Sequence, residues 1–198
     1  MPLDLSNTGP QQNFDVIPDG TVCTVLMKIR PGGAGDGGWL KRSKDGLSEA
    51  LDCEFTVTDD GPYKGRKFWG LFTVAGASTE GKDYGKAADI SFRKFRAMLD
   101  SVHGLKPDDE GEAARQKRRI NSWGDLDGIA FICRVGVEPP ANGYKAKNKL
   151  DRVITPDETA WRSVPQSPKP QQTSPAAPVA KPTTTSAPAI ARPQWANR

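Results

Sequence analysis

Four stretches of this chain alternate apolar and polar residues with a period of two, which confines it to a fold built on strands. In TVCTVLMKIR, residues 21–30, Cys23, Val25, Met27 and Ile29 share one face. In EALDCEFTVT, residues 49–58, Leu51, Cys53, Phe55 and Val57 alternate with Asp52, Glu54 and Thr56. RKFWGLFTV, residues 66–74, sets Phe68, Phe72 and Val74 against Lys67 and Trp69. IAFICRVGVE, residues 129–138, aligns Ile129, Phe131, Cys133, Val135 and Val137. Successive side chains of a strand point to opposite sides of its sheet, so each stretch reads as a strand buried on one face. LDRVI, residues 150–154, reads as a fifth strand. Turn clusters separate them: Pro18-Asp19-Gly20, DDGPYKG, Asp125-Leu126-Asp127-Gly128 and EPPANGYKAKNK.

One segment has helical spacing instead. In ADISFRKFRAMLDSVHG, Ile90, Phe92, Phe95, Met98, Leu99 and Val102 recur every three to four residues. Asp89 or Ser91 is the expected N-cap and Gly104 the stop. DDEGEAARQKRRINSW reads as a short polar surface helix, with the charge run Arg115–Arg119 on a solvated face. The order β-β-β-α-β-β predicts a mainly β fold: a five-stranded OB-like barrel with one helix between strands three and four. Residues 1–162 form that domain. SVPQSPKPQQTSPAAPVAKPTTTSAPAIARPQWANR, residues 163–198, carries almost no large apolar side chains to offset ordering entropy, and reads as a disordered tail. Trp195 is its one candidate anchor for a protein partner.

Charge must be located before it is interpreted. The net +4 comes entirely from Lys169, Lys181, Arg192 and Arg198 in the tail; the other 162 residues are balanced. A nucleic-acid argument therefore rests on local clusters. No run is long and apolar enough for a membrane span, and the first residues lack a secretory pattern, so a cytoplasmic protein is expected. Cys23, Cys53 and Cys133 sit inside apolar runs without metal or redox spacing and read as buried thiols. His103, the only histidine, falls at the expected helix C-terminus, where an imidazolium would suit the dipole. No catalytic, metal or cofactor constellation is visible, and the expectation is a binding protein, not an enzyme.

AGASTEGKDYGK, residues 75–86, mimics a phosphate-binding loop, G-x-x-x-x-G-K. It has Asp83 where Ser or Thr would hold Mg²⁺, a further charge at Glu80, and no repeated β-α-β around it. With the helix expected to begin near Asp89, it reads as a connector.

Single-stranded nucleic acid is held by cations interleaved with aromatic faces. Three clusters have that character. Tyr63, Lys64, Arg66, Lys67 and Trp69 lie at and after a turn. Trp39, Lys41, Arg42 and Lys44 decorate the loop after the first strand, which ends in Lys28 and Arg30. Tyr144, Lys145, Lys147 and Lys149 decorate the loop before the fifth. In an OB-fold such loops flank the ligand face.

The stretches FDVIPDGT (14–21), FTVTDDGPYKGRKFW (55–69) and DLDGIAFICRV (125–135) resemble a group of phage and prophage proteins similar to single-stranded DNA-binding proteins. The resemblance spans about residues 14–155. It implies an OB-like fold and a role coating single-stranded DNA in phage replication or recombination. It singles out Tyr63, Lys64, Arg66 and Trp69, and leaves homo-oligomerisation open. Bacterial single-stranded DNA-binding proteins usually end in an acidic tip that recruits partners; PQWANR carries no acid. The rival expectation is a phage accessory or structural protein whose barrel binds a protein through the same aromatic clusters.

Overall fold

The computed structural model describes residues 15–141 and 143–166. In chain order its elements are β1 (Val22–Ile29), β2 (Lys41–Arg42), β3 (Ser48–Val57), β4 (Lys67–Gly76), α1 (Tyr84–His103), α2 (Glu112–Lys117), β5 (Ala130–Glu138) and β6 (Lys147–Val153). All six strands join one antiparallel sheet. β3 is its hub. One edge pairs with β4 from Ser48 to Thr56; the other pairs with β2 at Glu49 and Ala50 and with β1 from Cys53 to Val57. β1 then pairs with β5, and β5 with β6.

The alternation decides which face is buried. Val25, Leu51, Cys53, Phe55, Phe131, Cys133 and Val135 have no solvent exposure. Phe55 is central, stacked on Phe68 at 5.2 Å and edge-on to Phe72 and Phe131 at 6.1 Å each. Fully burying one such ring contributes about 1.5–3 kcal/mol. The three cysteines are free and buried, as their positions in the strands require.

The expected barrel is not closed. Every pairing is antiparallel, so the outer strands β4 and β6 run parallel to each other, but no ladder joins them among the described residues. α1 fills this seam from inside. Phe95 packs on Phe72 at 5.4 Å. Lys94 reaches across, donating to the Leu150 carbonyl of β6 at 3.2 Å with its ammonium 5.9 Å from the Phe72 ring. One end of the seam is bridged by the entering chain. Asn148 of β6 brackets the Ile17 backbone, accepting from its N–H at 2.8 Å and donating to its carbonyl at 2.7 Å. Arg66, just before β4, donates to the Asp15 carbonyl.

Other expectations are corrected. The first loop is not free: Lys41 and Arg42 form the short β2. α1 begins at Tyr84, not near Asp89, because the Asp83 carboxylate accepts from the Lys86 N–H at 2.9 Å and caps it. That carboxylate also sets a negative charge at the helix N-terminus, where the P-loop analogy needs a phosphate. Gly104 ends the helix in the left-handed region at φ 65°, as expected. His103 is its last residue, but burial and then Lys117 lower its pKa, so the environment disfavours the imidazolium. Ile90 and Phe92, the first two members of the helical repeat, are half exposed. The run at Arg115–Arg119 is not uniformly solvated. Arg118 donates to Asp100, 2% exposed, at 2.6 Å and holds α2 on α1.

The described chain runs past Arg162. Arg162 donates to Asp59 at 2.7 Å and to the Thr24 hydroxyl at 2.8 Å. The Gln166 amide takes both backbone groups of Ala130. The tail reading for 167–198, including Trp195, lies outside the described residues. Among the described residues no helix is long and apolar enough to cross a membrane.

Candidate nucleic-acid interface

The seam between β4 and β6 opens outward as a groove of about 660 Å³. Its composition separates it from the balanced body of the protein. Arg30, Lys41, Arg66, Lys67, Lys94, Lys147 and Lys149 line it, against Asp52 and Glu138. The β3–β4 register explains its outer wall. Glu54 faces Trp69 and Asp52 faces Leu71. The odd-numbered residues of β4 thus point away from Phe68 and Phe72, leaving Trp69 49% and Leu71 63% exposed. About half of Trp69 and most of Leu71 lie open beside the cations.

Carboxylates position several of these groups. Glu54 accepts from Lys67 at 2.6 Å and from the Trp69 indole N–H at 3.2 Å, fixing the ring. The Lys67 hydrogen bond lowers the Glu54 pKa against the opposing effect of burial, and the Trp69 bond adds to it. Asp52 holds Arg30 at 2.6 Å and Lys41 at 3.5 Å. Lys147 lies 3.3 Å from Glu138. Lys149 has no carboxylate partner among the described residues. Lys94 is half-buried, and desolvation lowers its pKa, with Asp151 opposing that shift and Lys149 reinforcing it. A half-buried cation interacts more strongly with a nearby negative charge than one in bulk water does.

Six of the thirteen sequence-expected residues therefore converge: Arg30, Lys41, Arg66, Lys67, Trp69 and Lys147. Lys28 stands nearby on the same sheet face, opposite Glu54. The others do not join. Trp39 is 6% exposed, its ring against Gly124, and offers no face to a base. It is buried because β2 draws its loop onto the core. Tyr63 packs partly against the core. Lys64 pairs with Asp60 at 2.5 Å, and Arg42 with Glu49 at 2.8 Å. Tyr144, 78% exposed, and Lys145 line a separate hollow in the 139–146 loop.

Sequence reasoning missed Lys94. The available signal was its place in the helical repeat, four residues after Ile90 and four before Met98, which puts a cation on the flank of the apolar stripe.

No group of three or more His, Cys, Asp or Glu side chains among the described residues could hold a metal. No protein-family model matches the chain, and no curated protein is significantly similar to it.

Proposed function

We propose that this protein binds single-stranded DNA along the β4–β6 groove, without strong sequence preference, in phage replication or recombination. The groove itself carries the reading: seven cations against two carboxylates, beside an exposed tryptophan, in a domain with no net charge. Cations track a phosphate backbone, and an indole stacks on any base. The strand order supports an OB-like barrel left open along one seam: β1 lies between β3 and β5, while the parallel edges β4 and β6 flank the helix that joins the two halves. The phage role rests on the sequence resemblance alone.

A second reading is favoured by the unpaired edges of β4 and β6 beside Leu71: a partner protein could add a strand there. Anisotropy of a labelled oligo-dT and of an equal-length duplex, at two salt concentrations, separates the two. Preference for the single strand, weakened by salt and by Trp69→Ala, is expected. No binding at low salt would overturn the DNA reading in favour of a protein partner.

A further inference from the structure

A second cavity, of about 480 Å³, lies between α1 and the segment from Arg118 to Trp123. Phe92, Phe95 and Trp123 form an aromatic wall: Phe92 stacks on Trp123 at 6.2 Å and 19°, and Phe95 meets it at 5.8 Å. Leu99 and Ile120 line the cavity as well. Its two arginines are already engaged. Arg118 donates to Asp100 at 2.6 Å and to the Lys106 carbonyl at 3.0 Å; Arg96 donates to Glu110 at 2.6 Å and to the Pro107 carbonyl at 3.0 Å. Asp36, exposed at the rim, has no ion pair among the described residues. The cavity is therefore built for a flat apolar group with a positively charged neighbour, not for a phosphate.

The chain carries such a group. Between Ser167 and Arg198 the only aromatic side chain is Trp195, with Arg192 three residues before it and Arg198 three after. The tail also starts close by. Gln166 is fixed to Ala130, seven residues from Trp123, so its point of departure is at most about 25 Å from the cavity. The 29 residues from Gln166 to Trp195 can span up to ~100 Å. A group tethered within such reach has an effective concentration in the millimolar range, which suits a small apolar pocket.

We infer that Trp195 of the same chain seats in this cavity, its indole against Phe92 and Trp123, with a flanking arginine on Asp36. The test is ¹⁹F NMR of the full chain labelled with 5-fluorotryptophan, with the Trp195 signal assigned by Trp195→Phe. That signal is expected to lie away from the free-indole position, as broad as that of the buried Trp39, and unchanged over a tenfold range of protein concentration. Asp36→Lys, at an exposed position without an ion pair among the described residues, should lower the ratio of seated to free signal by up to about fivefold. Phe92→Ser should abolish seating. A sharp signal at the free position would overturn the inference, as would a displaced signal that ignores both variants. A displacement lost on dilution would also overturn it, by assigning the cavity to a second copy's tail.

Discussion

Lys149→Gln reads the groove through its salt dependence. Lys149 is exposed on β6 opposite Gly136, with no carboxylate partner among the described residues, so losing its charge should change stability by about 0.5 kcal/mol or less. Seven lining cations against Asp52, Glu138 and the Glu54 carboxylate that accepts from Lys67 leave a net of four. A single strand releases counterions with a slope of about −0.7 per neutralised phosphate, so log affinity should fall against log salt with a slope near −2.8. Between 50 and 200 mM salt that is a loss of about 50-fold. With a net of three, the variant should give a slope near −2.1 and a loss of about 20-fold. Lys64→Gln, at a lysine outside the groove paired with Asp60, should leave the slope unchanged. Fluorescence anisotropy with oligo-dT at four salt concentrations measures all three proteins. A wild-type slope shallower than −1, or equal slopes for wild type and Lys149→Gln, would refute the reasoning.

Lys94 gives a prediction in pH. Its folded pKa lies below the ordinary 10.5, mainly through desolvation, so below the folded value both states are charged and the burial cost is fully present. As pH rises through the folded pKa towards 10.5, the folded state loses its proton first and stability rises. Urea midpoints should show this rise in the wild type and not in Lys94→Met. Asp100→Asn should destabilise by about 3 kcal/mol in equilibrium urea unfolding, because it leaves the largely buried Arg118 without its counter-charge. Gly124→Ala should cost roughly 1–3 kcal/mol by thermal melting, since a Cβ there would meet the buried Trp39 ring at 2.7 Å.

The strands were legible because a half-buried strand writes its burial into alternate residues. Phe55, Phe68 and Phe131 sit in the core, and Lys67 and Trp69 on the outer face, where the alternation places them. The helix's existence was equally clear, but its start was not: Asp83 was read as a flaw in a phosphate loop when it is an N-cap. Trp39 was misread because a loop rich in glycine gives no sign that a two-residue strand will fold it inward. The groove was half legible. Arg30, Lys41, Lys67 and Lys147 are basic in any reading, but that they meet depends on β4 and β6 lying side by side unpaired, 80 residues apart between Lys67 and Lys147. Sequence periodicity does not record which strand edges face each other.

The unpaired seam also has a consequence in time. In β4 and β6, backbone amides alternate between those directed into a ladder with β3 or β5 and those directed into the gap. Neighbouring amides on one strand should therefore exchange with solvent deuterium at very different rates, fast and slow by turns. The central strands β1 and β3, paired on both sides, should instead be protected almost without interruption. A ligand lying along the groove would cover the gap, and its arrival would appear first as the slowing of every second amide.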